Sequence, residues 1–185
     1  MKEKRKKRIV LIPFLLLFTL LLCGCDRKGI EAENTFQVDE IENRQQELFN
    51  VLHVVDGDTF SVWMNDKIET VRVIGIDSPE TGEKYRRKEC FGRESTQMAI
   101  EVLSDKKVLL KTDLTQDDRD QYDRLLRHVF LEDGTNYGLK MIEIGFAEEL
   151  TFKGRQYEHQ DEYKSAQEKA KQDKQGLWEV CKSKQ

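Results

Sequence analysis

The chain is poor in histidine. His53, His128 and His159 are the only three in 185 residues, and they are too scattered to suggest a zinc site, so packing roles in the core or at the surface are their default. There are no internal repeats, which removes solenoid and propeller architectures. The one long apolar run, Ile9 to Leu22, contains Pro13 and falls short of the about 20 residues of a comfortable membrane span. Cysteine is sparse: Cys23 and Cys25 close that run, and only Cys90 and Cys181 lie beyond it. Net charge is −4, so a strongly basic surface is missing as well.

What is present begins with an address. Lys2, Lys4, Arg5, Lys6, Lys7 and Arg8 precede the apolar run, the layout of a secretory signal. Leu22-Cys23-Gly24-Cys25 resembles a bacterial lipobox, which implies lipidation of Cys25 and cleavage before it. Residues 1–24 are then a lipoprotein signal peptide, with an uncleaved signal anchor as the alternative. Both put the remainder at the cell membrane, facing the extracytoplasmic side. Residues 25–48 are polar and charged and are expected to be a flexible tether, or a short amphipathic helix from Val38 to Leu48.

Residues 49–180 carry the folded domain, and residues 181–185 form a tail. Strands are expected at Phe49–Val55, Thr59–Trp63 and Ile68–Ile76, joined by turns at Asp56-Gly57-Asp58 and Asn65-Asp66. A helix fits Arg93–Leu103, with Met98, Ile100 and Leu103 on one face. Strands follow at Lys107–Lys111 and Arg124–Leu131, then helices at Tyr137–Ile144, stopping at Gly145, and Tyr157–Lys174, with Leu177-Trp178 folding back. Strands first and helices trailing indicate an α+β domain around a small barrel.

Two acidic segments, Asp56-Gly57-Asp58-Thr59 and Asp77-Ser78-Pro79-Glu80-Thr81, flank a strand whose single cation is Arg72. Oxygen ligands suit Ca²⁺ or Mg²⁺, and guanidinium pairs bidentately with phosphate, so this pattern points to metal-assisted attack on a phosphodiester. Taken singly, each segment has a plainer meaning. Asp56-Gly57 makes a hairpin turn, Asp77-Ser78-Pro79-Glu80 starts a helix, and Arg72 and Arg124 sit on solvated surface. Cys90 and Cys181 can form a disulfide in an exported domain or remain free buried thiols.

Together, Val54 to Thr59, Val71 to Thr81, Asp120-Gln121-Tyr122-Asp123-Arg124-Leu125-Leu126 and Gly176-Leu177-Trp178 resemble the thermonuclease (staphylococcal nuclease-like) family, in order and over Phe49 to Trp178. The resemblance implies a five-stranded oligonucleotide-binding (OB-fold) barrel with three helices. It also implies hydrolysis of DNA and RNA, single-stranded substrate preferred, by a monomer using one Ca²⁺ and leaving 3′-phosphate ends. Asp58 and Asp77 would be the calcium carboxylates and Ser78 a main-chain ligand. Glu80 would activate water, and Arg72 and Arg124 would clamp phosphate. A non-catalytic oligonucleotide-binding module is the alternative.

Three features depart from that family. Without residues 1–24 the chain holds 25 basic and 34 acidic side chains, net −9, which is adverse for binding a polyanion. The segment Glu148 to Lys153 lacks an aromatic pair that stacks on base and sugar, leaving Phe152 or Tyr157 as substitutes. Asp123 replaces a glycine before Arg124, where it could hold that arginine or weaken phosphate binding.

Overall fold

Alternating inward apolar residues from Leu48 to Val73 build a meander in the computed structural model, which describes residues 47–82 and 88–181. The signal peptide, Cys25 and all but the end of the tether lie outside the described residues. β1 (Leu48–Val54), β2 (Thr59–Met64) and β3 (Lys67–Val73) pair antiparallel, with Val51, Val54, Phe60, Val62, Val71 and Val73 pointing into the core. Asn65 and Asp66 both have positive φ, 50° and 60°, the two-residue hairpin geometry that matches the strands' right-handed twist. A bulge between Val51 and His53 gives β1 one extra residue, Leu52.

The third strand stops earlier than its alternation suggests. Gly75 turns the chain at φ 82°, and Ile76–Asp77 forms a separate β4. A Cβ on Gly75 would lie 2.5 Å from Cε2 of Tyr157, so glycine satisfies both the left-handed conformation and the close approach. The expected strand Ile68–Ile76 is therefore two pieces, the second leaving the barrel.

Next, α1 (Gly92–Leu103) packs with Gly92, Ser95, Ala99 and Leu103 inward, while Ile100 is 37% exposed. Leu103 is buried and Met98 packs against the core as expected, and only Ile100 turns outward, because the small Gly92, Ser95 and Ala99 fill the inner face and let the helix approach closely. β5 (Lys107–Lys111) and β6 (Leu125–Leu131) complete a closed barrel of order β1-β2-β3-β6-β5, with β3 and β6 parallel. Closure leaves the barrel no free edge strand. Arg124 falls just before β6, in a turn where Asp123 takes φ 64°.

α2 (Tyr137–Glu143) is capped by Asn136, whose side chain accepts from the Leu139 N–H at 3.1 Å. β7 (Glu148–Glu149) pairs with β4. A 3₁₀ turn at Phe152–Gly154 leads to α3 (Gln160–Gln172), shorter than the expected Tyr157–Lys174 because Tyr157 is spent against Gly75. A four-residue α4 (Leu177–Val180) follows, with Leu177 buried and Lys171 over the Trp178 ring. The domain is thus α+β around a five-stranded barrel.

One buried node ties β5, β6 and the approach to α3 together. Asp113 accepts from the N–H and hydroxyl of Thr115, the Glu158 N–H at 2.8 Å and His128 Nε2 at 3.0 Å. Burial alone would raise its pKa, but these donors outweigh it and hold the carboxyl at about 2. Burial pushes the His128 pKa down, with the Asp113 hydrogen bond opposing. Cys90 and Cys181 are joined, Cα to Cα 5.9 Å, across a separation of 91 residues.

Both features predict measurable stability effects. Asp113 is depressed from 3.8 to about 2, so its contribution of about 2 kcal/mol is present above pH 3.8 and lost as pH falls through 2. His128, buried neutral, adds a loss in the same direction beginning below 6.5. Denaturant unfolding of the parent should therefore weaken on acidification, and Asp113→Asn should flatten the lowest part of that profile. For the thiols, a Cys23→Ser/Cys25→Ser protein from an oxidising compartment should show no maleimide-reactive sulfur when denatured. Further changing Cys90 and Cys181 to Ser should lower stability by about 2–4 kcal/mol. Two labelled thiols would remove the bridge.

Candidate active site

The turn between β1 and β2 is built around buried carboxylates. Asp56 Oδ1 accepts from the Asp58 N–H at 3.1 Å, closing an Asx turn, and the Asp58 carbonyl takes the Val73 N–H at 2.9 Å. Gly57 sits at the bottom: a Cβ there would strike the hydroxyl of Ser95 and lie 2.6 Å from Cβ of Ser78. Its carbonyl accepts from the buried Tyr137 hydroxyl at 2.8 Å, and burial raises that phenol far above its usual pKa, so it stays a donor. The turn is held from below, and its acids face the far end of β3.

Asp58 is the centre. Oδ2 accepts from the Ser78 N–H at 2.7 Å, while Oδ1 accepts from the Thr59 hydroxyl at 2.8 Å and meets Arg72 Nε at 3.1 Å. Arg72 then spans to Asp77, Nη2 to Oδ1 3.2 Å. Its Nη1 donates to the carbonyls of Val73 and Ile76, at 2.8 and 2.7 Å. Those two carbonyls converge because the chain turns at Gly75, so the strand break orients the guanidinium.

Arg124 arrives from the other side. Its Nε and Nη2 both lie 2.7 Å from Asp120 Oδ2, and its N–H donates to Asp120 Oδ1 at 3.0 Å. Its Nη1 reaches Thr59 Oγ1 at 3.4 Å. The hydroxyl of Thr59 therefore links the Asp58–Arg72 pair to Arg124. Asp123 does not hold Arg124: its carboxylate lies 3.6 Å from Arg119, which also makes a two-pronged pair with Glu69. Its left-handed φ accounts for a position that glycine would suit.

Glu80 lies on the loop after β4. Its N–H donates to Glu89 Oε2 at 3.1 Å, its carbonyl accepts from the Glu89 N–H at 2.9 Å, and that carbonyl packs where a Cβ of Gly92 would otherwise sit. Negative charge accumulates around it. Asp56 is pushed up to about 7, first by burial and then by the charge on Asp58, with Glu80 adding to it. Asp77, 62% exposed, is also raised, by desolvation of its inner side and by Asp58, Glu89 and Glu80, with Arg72 opposing.

Asp58, Asp77, Ser78, Arg72 and Arg124 thus meet in one place, with Glu80 close enough to act on Asp56 and Asp77. Sequence reasoning missed Thr59 as the link and Asp120 as the clamp. The four-residue step from Asp120 to Arg124 was the available signal. Tyr157 is not available for stacking on a base, since it is buried with its hydroxyl on Glu149 at 2.9 Å; Phe152 is exposed. Among the described residues, no three His, Cys, Asp or Glu side chains form a ready metal cage.

Several known proteins are similar to this chain. The chain is 28% identical to the thermonuclease of Staphylococcus hyicus over 143 residues, covering 77% of this chain and 82% of the relative. It is 34% identical over 128 residues to an uncharacterized endonuclease of Escherichia coli O157:H7, covering 69% and 74%. Endonuclease YncB of Bacillus subtilis is 26% identical over 196 residues, covering 94% of this chain and 92% of the relative. The model of the staphylococcal nuclease homologue family matches residues 70–180, and the chain belongs to that family.

Proposed function

We propose that the protein is a Ca²⁺-dependent endonuclease that hydrolyses phosphodiesters of DNA and RNA outside the cell, leaving 3′-phosphate ends. The observation that carries this is the chain Arg72–Asp58–Thr59–Arg124, which holds two guanidiniums on one small surface beside a second carboxylate, Asp77. The names of the relatives, thermonuclease and endonuclease, support the same class. The donor set fits a hard cation. It offers only oxygen, and burial, followed by like charge, raises the pKa of Asp56 and Asp77, a penalty that a divalent ion would relieve. Asp58 and Asp77 would hold Ca²⁺ with a main-chain oxygen of Ser78. When bound, the ion would neutralise a phosphate oxygen and act as a Lewis acid.

The chain's own residues divide the remaining work. Arg72 and Arg124 pair with the phosphate oxygens, offsetting the negative charge that grows on them during attack. Asp120 keeps Arg124 from swinging away, because both Nε and Nη2 are engaged while Nη1 points to the site. Glu80 orients and deprotonates the attacking water from a loop that Glu89 and Gly92 fix. A monomer acting on single-stranded substrate, tethered through a lipid on Cys25, completes the reading.

Plasmid and single-stranded DNA should be cut by the purified protein with calcium and spared with chelator; no cleavage under either condition would favour a binding module. Asp58→Ala should weaken calcium binding, whereas Glu80→Gln should retain it and lose about 10²–10⁴-fold in kcat. Arg124→Ala should lower kcat by about 10²–10³-fold rather than only raise KM. Near-parental turnover by Glu80→Gln would remove Glu80 from the mechanism.

Cys25→Ala should abolish incorporation of radiolabelled palmitate and block maturation at this site. A diacylglyceryl group brings two chains, enough for stable anchoring where one is marginal. Equal labelling of parent and variant would overturn the lipid anchor.

A further inference from the structure

The outer face of the meander carries an apolar surface that the reaction does not use. Trp63 lies directly opposite Ile68 in the β2–β3 ladder, and they are 49% and 64% exposed. Leu52, the extra residue of the β1 bulge, is 49% exposed beside them. Among the described residues no other ring or cation covers the Trp63 indole, whereas Trp178 carries Lys171. The ladder also fixes where this surface leads. Trp63 pairs with Ile68, Ser61 with Thr70, and Thr59 with Arg72, so the three pairs line one face of the sheet in steps of two residues. At about 3.3 Å per residue, the indole lies about 13 Å along the strand from Thr59, the link between the two guanidiniums.

We propose that this face is a base-stacking extension of the active site for single-stranded nucleic acid. A strand whose scissile phosphate sits at Arg72 and Arg124 passes over the half-buried Thr70 and lays a flanking base on Trp63, with Ile68 and Leu52 as apolar shoulders; Ser61 lies buried beneath, its hydroxyl donating to the His53 carbonyl at 3.4 Å. The proposal rests on the nuclease reading for the position of the phosphate. Two observations favour nucleic acid over other occupants. The apolar patch leads to the guanidinium site along β3, where the half-buried Thr70 lies between Ile68 and Arg72 on one face. The chain beyond residue 24 is net −9, so long-range attraction for a polyanion is poor and affinity must come from local contacts. Aromatic stacking is sequence-tolerant and does not depend on net charge. The distance also lies within the about 4–16-nucleotide footprint of OB barrels.

The test compares the full-length protein with Trp63→Ala and Trp63→Phe, using a dinucleotide and a single-stranded oligonucleotide of roughly twelve nucleotides. The ratio of kcat/KM for the longer substrate to that for the dinucleotide should fall about tenfold in Trp63→Ala and largely recover in Trp63→Phe. Oligonucleotide affinity, read by anisotropy in calcium with Glu80→Gln as background, should fall by a similar factor. Circular dichroism checks the fold, and if Trp63→Ala unfolds, Trp63→Phe against Trp63→Leu carries the comparison. A parent that cuts nothing but loses oligonucleotide affinity on Trp63→Ala would sink the nuclease reading and leave the surface standing. Unchanged oligonucleotide affinity in Trp63→Ala would overturn the proposal. If the variant then binds anionic vesicles less well, the face docks lipid; if it shifts a dimer to monomer, the face meets a second copy.

Discussion

Asp58 uses its main chain and both carboxylate oxygens to connect segments that are far apart in the chain. Its carbonyl receives the end of β3, its Oδ2 receives the loop after β4, and its Oδ1 is shared by Thr59 and Arg72. A carboxylate this buried is stable only when its lone pairs are filled, and here each partner belongs to a different element. Removing it would leave the Ser78 N–H, the Thr59 hydroxyl and Arg72 Nε to find other partners together. The same contacts that order the backbone therefore hold the groups that would meet a phosphate. Stability and chemistry are hard to separate at this residue, which is why Glu80 and Arg124, attached at the rim, are the better probes of turnover.

The electrostatics follow from that geometry. Three aspartates and Glu80 crowd against one end of the barrel, and burial, reinforced by their mutual repulsion, raises Asp56 and Asp77. Arg72 offsets part of it by bridging Asp58 and Asp77, but its guanidinium is then engaged by four acceptors: two carboxylates and two carbonyls. An anionic substrate competes with Asp77 for Nη2, and a cation between the carboxylates would lessen what Arg72 forfeits by turning to phosphate. Metal and substrate should thus favour each other's binding, since each relieves what the other disturbs.

Much of this was legible in the chain. The meander, the Asn65-Asp66 hairpin, the order of strands and helices and the two acidic segments follow from local periodicity and turn chemistry, which act within a few residues. Where the expectation failed, the cause was distant. Alternation runs on to Ile76, yet the strand ends at Val73 because Gly75 packs on Tyr157, 82 residues away. The buried face of α1 is chosen by the space beside Gly57 and Glu80, which rewards small Ser95 and Gly92 over large Ile100. Asp120 could have been paired with Arg124 from spacing alone; the link to Thr59, 65 residues away, could not.

The adverse net charge has a structural counterpart. Several arginines of the domain are already engaged by acids: Arg119 by Glu69, Arg127 by Asp118, Arg155 by Asp117 and Arg124 by Asp120. Such pairs fix direction but reduce the long-range positive field, so the protein gives up electrostatic steering for preorganised guanidiniums. A long substrate approaching this domain gains little until it touches. Contact energy must then be spread along the strand by groups indifferent to charge. The exposed indole in line with Arg72 is well placed for that, because stacking begins where the field of the paired guanidiniums has faded.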